Sequence, residues 1–461
     1  MKNIFIIGIG GKGLNGIAQM CLEKGMKVAG VDVKKTAETE SLEKIGAEIF
    51  YEHSAKNIYG DFDAIVYSSI IKDDCPEILE ARHRKIPIIK RSEFLKELTK
   101  TSFRISIAGS HGKSTTTAIT GLSLIHAGQN PDIYCGAYIK ELGSYNRCGA
   151  GKISVIESCE YDRSFFDLIG DATIITSIEK SHLEYYKDEA EMLVAFRTFV
   201  QKHSDFAPII VNGDDINIRR VIVPYQNSKK IITYGFNSSN DYLIKNISLE
   251  NDKTTFSVYK GKHSVVKNLS IKIPGLYNVL NFTALVALFN EFSFNFKGLG
   301  EVAQNFYGIG RRFEISRTAD GKIFVDDFAH HPTQVKNLFY GLKQFYPNHK
   351  ICAVFQPRQY NLIKNFICEY GQSFKLADEV ILTDIVPALG DTENDINSLK
   401  SADVVNSIKC YSGKKARVYN KFEEIVTYLK KSIKNNTIIA TIGAGDIYKI
   451  KDLYVKNLKF N

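Results

Sequence analysis

The residues best suited to chemistry are Gly109-Ser110-His111-Gly112-Lys113-Ser114-Thr115, directly after the strand-like FRISIA and directly before the helical TTTAITGLSLIHAG. In that setting a glycine turn presents backbone N–H groups to phosphate at a helix N-terminus. Lys113 can reach the β- and γ-phosphates as a point charge, and the Ser114 hydroxyl suits Mg2+. The spacing is GxxGKS rather than GxxxxGKS, so the plainer alternative is a glycine-rich turn with a solvated lysine. Glu157 and Glu160 (IESCEYDRSFF) follow one predicted strand, and His182 (ITSIEKSHLEYY) follows another. Oxygen ligands and an imidazole near a triphosphate suit Mg2+ that bridges phosphates better than a closed zinc site. Their place after successive strands favours Glu160 and His182 as ligands, and Glu157 less so.

Two further clusters invite a reading. Gly8-Ile9-Gly10-Gly11-Lys12-Gly13, with Asp32 at the end of the next strand, has the form of a dinucleotide fingerprint with Asp32 on a ribose hydroxyl. Taken alone it points to a nicotinamide-dependent dehydrogenase, or simply to close packing of helix on strand. A second nucleotide loop about 100 residues later fits a dehydrogenase poorly, since hydride transfer has no use for ATP. Near the third part of the chain, Asp326-Asp327-Phe328-Ala329-His330-His331-Pro332-Thr333 follows KIFV and precedes a helix that Pro332 can start. Upstream, Arg311 and Arg312 can fork onto phosphate or carboxylate, with a hinge salt bridge as the structural alternative.

These loops need strands and helices to hold them. Between residues 1 and 101, Asn3–Ile7, Lys27–Val33 and Ala64–Tyr67 read as strands, with helical spacing over Leu14–Lys24 and Cys75–Arg84. A second α/β run over 102–309 has strands at Phe103–Ala108, Lys152–Ile156, Ala172–Thr176 and Pro208–Val211. The strands ITYGF, YLIKNISL, TTFSVYK and LSIKI follow as an antiparallel patch, and a helix over Asn278–Phe292 closes the unit. The third run, 310–461, has strands at Ile323–Val325, Ile351–Phe355, Glu379–Leu382 and Thr437–Ile442. The fold class is α/β, as three consecutive domains: Rossmann-like, P-loop ATPase with an antiparallel patch, and Rossmann-like. The 461 residues are long enough for more than one core.

Composition narrows the classes. With 44% hydrophobic and 24% charged residues the chain is neither collagen-like nor largely disordered. Eight cysteines without a CxxC pair read as reduced thiols of a cytoplasmic protein. No apolar stretch approaches the roughly 18 residues needed to span a membrane. The net charge of +9 has no basic run with interleaved aromatics behind it, so small polyanions rather than nucleic acid are the expected partners.

GIGGKGLNGIA, GSHGKSTTT, ESCEYDRSF, SIEKSHLEYY, GLYNVLN, GIGRRFE, DDFAHHPTQV, FQPRQY and GAGDIYKI occur in the order found in the Mur ligases, and the chain resembles that family from end to end. The resemblance implies ATP-dependent, ADP-forming amide synthesis in peptidoglycan precursor assembly, with ATP and Mg2+ as cofactors. It is strongest to members that join L-alanine to UDP-N-acetylmuramate; a related member adding another amino acid or a recycled murein peptide is the alternative. A monomer or weak homodimer is expected. By the resemblance, Lys113 and the amides of Ser110 to Ser114 meet the phosphates, while Ser114, Glu160 and His182 hold Mg2+. Asn278 and Asn281 match positions on the adenine side. Arg312 and Asp327 match residues that close over the nucleotide, and His330 matches a phosphate- or substrate-side histidine. Gly10, Gly11, Gly13, Leu14, Asp32, His53 and Ser69 stand where the family holds uridine diphosphate. Several positions depart from the family pattern. Cys159 and Ser181 replace common aspartates, and Tyr277 replaces a common histidine. In FQPRQYNLI, Arg358 and Gln359 stand for His and Arg, and Leu362 for a second Arg; Arg358 remains a substrate-side candidate.

Overall fold

NIFII, FRISIA and TIIATI are short apolar runs with little polar alternation, the pattern of strands covered on both faces. Each lies inside one of three sheets that succeed one another along the chain. The computed structural model describes residues 1–68, 71–434 and 436–456. Its first sheet is wholly parallel, in the order Glu48–Phe50, Lys27–Val31, Asn3–Ile7, Ala64–Tyr67, Ile88–Lys90. The strand order reverses at Asn3–Ile7, so the glycine loop that follows this strand opens at the switch point where α/β sheets take ligands.

The central sheet has ten strands. Its parallel part sets Phe103–Ala108 between Ile153–Glu157 and Ala172–Ile175. That arrangement brings the loops after three strands to one edge: residues 109–112, 158–160 and 176–182. The antiparallel patch is smaller than the sequence suggests. Ile231–Gly235 pairs parallel with Ile209–Asn212, because the helix Ile216–Ile222 carries the chain back between them, and it also pairs parallel with Tyr242–Leu249. Within the patch, Tyr242–Leu249, Thr254–Lys260 and His263–Ile271 run antiparallel to one another, and at the other edge of the sheet Asp132–Ile139 and Ser144–Arg147 do so too. The helix Leu276–Glu291 is buried almost all round, as its lack of a polar face requires. It does not close the unit, since Phe296–Asn305 forms a further helix.

The third sheet orders Glu314–Arg317, Ile323–Asp327, Thr437–Ile442, Lys350–Phe355, Glu379–Leu382 and Lys415–Val418, with only the first strand antiparallel. The three units are packed against one another. Leu14 and Ile17 of the helix Lys12–Glu23 share one core with Tyr134, Ile156 and Leu168 of the central unit. A Cβ at Gly16 would lie 1.4 Å from the Asn146 amide nitrogen, so this contact needs glycine. On the other side, Gln344 accepts from the Gly275 N–H at 3.1 Å and donates to Thr254 at 2.7 Å. Among the described residues no helix is long and apolar enough to cross a membrane.

One buried histidine makes the central core pH-sensitive. His203 lies between Thr173 Oγ1 and the Phe199 carbonyl, each at 2.7 Å, and burial pushes its pKa down to about 4. The unfolded chain, with histidine near 6.5, binds the extra proton between these values, so stability falls as pH drops through that window. The full effect is about 3 kcal/mol. Thermal unfolding between pH 7 and 4 should show a shallower slope for His203→Gln than for the wild type; equal slopes would assign the dependence elsewhere.

Candidate active site

The phosphate loop is shaped by two glycines. Gly109 has φ +126° and Gly112 φ +83°, and a Cβ at Gly109 would lie 2.3 Å from Thr176 Oγ1. Lys113 opens the helix Lys113–His126, and its Nζ is 2.8 Å from Glu160 Oε2 while also donating to the Gly109 and Ser110 carbonyls. His182 Nε2 stands 3.5 Å from the other Glu160 oxygen, an ion pair longer than a good hydrogen bond. This buried Oε1 therefore keeps acceptor capacity. Burial opposes charge on Glu160, yet Lys113 and His182 hold its carboxyl well below the usual range. Burial also lowers His182, but Glu160 and Glu184 outweigh it and raise the imidazole to about 10.

Ser114 meets Glu157 rather than Glu160: its Oγ donates to Oε1 at 3.0 Å, and the Gly136 N–H donates to Oε2 at 2.6 Å. Glu157, the weaker of the two acids on sequence grounds, thus sits beside the loop. A carboxylate with a spare oxygen and a serine hydroxyl at the edge of a glycine loop fit Mg2+ with phosphate, and the His182 ring can join them once a bound cation has displaced its proton. Asn278 and Asn281 lie behind the loop. Asn281 donates to Asn278 Oδ1 at 3.2 Å, and its own Oδ1 would lie 2.9 Å from a Cβ at Gly112.

The adjacent arginines separate. Arg311 is paired with Asp326 at 3.0 Å and donates to the Gly443 and Gly445 carbonyls, each at 2.7 Å. Arg312 lies over the Phe328 ring at 5.3 Å, and Arg312, Asp327, His330 and Arg358 line the same cavity as the phosphate loop. Asp327 accepts the N–H groups of Phe313 and Ala329, each at 2.8 Å. Burial pushes its carboxyl up, and Arg312 pulls it back. Burial drives His330 down to about 3, so it is neutral.

The first unit holds a second cavity, lined by Gly11, Gly13, Leu14, Asp32 and His53. Asp32 Oδ2 accepts the Gly10 N–H at 2.9 Å, so the acid shapes the glycine loop. His53 Nδ1 is 2.9 Å from the fully buried Glu77. Ser69 lies outside the described residues. Lys90 and Arg91, at the end of the short strand Ile88–Lys90, also line this cavity; sequence reading passed over them, although a basic pair after a strand was the available signal. The cavities measure about 590 and 880 Å3 and adjoin at Gly136, Glu157 and Cys159, which line both.

Comparison with known proteins agrees with this arrangement in each unit. The profile of the Mur ligase family catalytic domain matches residues 3–103, that of the Mur ligase middle domain 107–289, and that of the Mur ligase glutamate ligase domain 311–445. A UDP-N-acetylmuramate–L-alanine ligase of a Sulfurihydrogenibium species is 35% identical over 458 residues, covering 99% of this chain and 98% of the relative. The chain belongs to the Mur ligase family. A second ligase of that name, from Trichlorobacter lovleyi, is 33% identical over 99% of both chains. The crystal structure of a UDP-N-acetylmuramate–alanine ligase from Thermotoga maritima superposes with a TM-score of 0.81 at 26% identity, each chain covered fully. A murein peptide ligase from Psychrobacter arcticus shares the fold at a TM-score of 0.71 and 20% identity, over 99% of both chains.

As a Mur ligase the protein uses ATP, and its departures from the family pattern can be placed. Cys159 stands where the two cavities meet. Ser181 Oγ faces the Met192 sulfur at 4.0 Å, away from His182's ring partners. Tyr277 is half-buried beside Asn278, and removal from water pushes its phenol up. Gln359 donates to Glu184 at 2.8 Å, and Leu362 lines the cleft. The domain-spanning residues Glu179 and Glu184 escaped the sequence reading altogether.

Proposed function

We propose that this Mur ligase joins L-alanine to UDP-N-acetylmuramate with conversion of ATP to ADP and phosphate. The observation that carries the reading is the adjacency of the two cavities. A glycine loop suited to a diphosphate and a glycine loop suited to a triphosphate line neighbouring cavities that meet at Gly136, Glu157 and Cys159. A free carboxylate is a poor acyl donor. Transfer of the γ-phosphoryl group to the muramoyl carboxylate makes an acyl phosphate; the amine then attacks, and phosphate leaves from the tetrahedral adduct. Nothing in this chemistry needs a protein nucleophile, so the chain's task is positioning and charge stabilisation.

In this reading the amides of Ser110 to Ser114 and the Lys113 ammonium hold the β- and γ-phosphates. Arg312 and Asp327 close the nucleotide side, and neutral His330 faces the transferring group. Asn278 and Asn281 support the adenine side. Gly10, Gly11, Gly13, Leu14, Asp32 and His53 hold the uridine diphosphate, and Arg358 faces the incoming amino acid. When bound by Ser114, Glu160 and His182, magnesium supplies positive charge to the phosphate oxygens. The protein is expected to act as a cytoplasmic monomer or weak dimer.

Purified protein with ATP, Mg2+ and UDP-N-acetylmuramate, screened over amino acids for phosphate release, tests the reading. Release should depend on L-alanine. Release only with a murein tripeptide, or only with another amino acid, would replace the acceptor; no release with any of them would sink the ligation.

A further inference from the structure

We infer that His111 is a positioning residue, seating the third domain on the phosphate loop and so fixing where the acceptor amine is presented. The inference rests on the proposed ligation for its kinetic consequence, and on geometry for the seat itself. Both ring nitrogens of His111 are engaged by protein groups. Nε2 is 2.7 Å from Glu179 Oε2, and Nδ1 is 2.9 Å from Gln334 Nε2, which is 223 residues away in sequence and in the third domain.

The protons follow from Gln334. Its Oε1 accepts the N–H groups of His330 and His331 at 3.0 and 3.2 Å, which leaves Nε2 as a donor facing His111. An amide NH2 has no acceptor capacity, so His111 Nδ1 accepts and its Nε2–H donates to Glu179. The hydrogen bonds thus define one orientation of the ring, which bridges two domains. The other Glu179 oxygen accepts the Thr333 hydroxyl. Ser110, next to His111 in the loop, clasps the Glu179 backbone: its Oγ accepts the Glu179 N–H and donates to the Glu179 carbonyl, each at 2.9 Å.

The partner element is the start of the helix Pro332–Phe345. The Glu179 carboxylate faces its first turn, where free N–H groups and the helix dipole favour negative charge. Because Gln334 also holds the His330 N–H, the same contact places His330 in the cleft. Loop backbone, third-domain helix and a cleft histidine are thus set by one shared side chain. Direct service of the His111 ring to phosphate would require breaking this network.

Two assays separate the seat from the phosphate chemistry. Exchange of label between ADP and ATP that depends on UDP-N-acetylmuramate reads acyl-phosphate formation without any amine; phosphate release against L-alanine concentration reads the complete reaction. Gln334→Ala should lower exchange by no more than about threefold, the share owed to a loosened His330, while raising the KM for L-alanine about tenfold, as expected for lost hydrogen bonds at a domain contact. His111→Ala combined with Gln334→Ala should add little to either alone. His111→Gln, which can donate to Glu179 and accept from Gln334, should restore most of the L-alanine KM. Hydrogen exchange at the first turn of Pro332–Phe345 reads the seat with no turnover. Faster exchange in His111→Ala, which leaves the Gln334 cap on His330 and His331 intact, upholds the seat even in a preparation that ligates nothing, an outcome that would overturn only the proposed reaction. Equal loss of both activities in Gln334→Ala, or unchanged KM and unchanged amide protection, would overturn the inference.

Discussion

Replacing Lys113 by alanine should lower phosphate release about a thousandfold while leaving the fold intact, the size of loss seen when a preorganised charge is removed from a developing anion. The expectation follows from where Lys113 is held. Its side chain is 11% exposed and Glu160 is fully buried, so the pair is poised at the loop without solvent screening. The ammonium also donates to two loop carbonyls, which fixes it over the turn that the glycines open. Removing one member of a buried pair usually costs about 3–5 kcal/mol. Here Glu160 retains His182, so the loss of stability should fall at or below the lower end of that range. Initial rates at saturating ATP, together with thermal unfolding and far-ultraviolet circular dichroism, separate the two effects. Near-normal turnover would remove Lys113 from the phosphate site; loss of the folded signal would make its role structural.

The legibility of this site follows its chain distance. The phosphate loop could be read because its parts are contiguous: a strand, two glycines at obligatory positive φ, a lysine and a helix all lie between Phe103 and His126. Glu160 and His182 could be read because each follows a strand that flanks Phe103–Ala108. Glu179 could not, since its meaning comes from Thr333, 154 residues on. The same limit separated Glu157 from its role, because nothing local ties it to Ser114. Among the elements, Glu48–Phe50 and Ile88–Lys90 are too short to show any period. DIYCGAYI was passed over because glycine and cysteine interrupt the β-branched pattern that marks a strand. Ile231–Gly235 reads as a strand but its parallel sense is not legible, because pairing direction depends on the crossover before it and not on the strand's own residues.

The neighbouring arginines should respond oppositely to the same substitution. The chain takes left-handed conformations at Arg311, φ 59°, and Phe313, φ 50°, and across this turn the two side chains diverge. Arg311 spends its guanidinium on the fold: Asp326, two carbonyls of the last loop, and the Tyr448 ring at 4.6 Å. Arg311→Ala would strand Asp326, whose carboxyl burial already pushes up and Arg311 draws back. The expected cost is about 3 kcal/mol of stability, from lost charge-assisted hydrogen bonds and a half-buried acid left unpaired. Arg312 has its ring contact with Phe328 and a charge interaction with buried Asp327, which also keeps the Phe313 and Ala329 N–H groups, so Arg312→Ala should cost about 1 kcal/mol of stability, less than Arg311→Ala. Its turnover should nevertheless fall about a hundredfold, because the cation proposed to close over the phosphates is gone. Arg312→Lys keeps the charge but not the planar fork, and should recover only part of the rate. Thermal unfolding and initial rates on the three variants decide the matter. If Arg312→Ala unfolds early and keeps its rate, the hinge role belongs to Arg312, and the division of labour drawn from the turn is reversed.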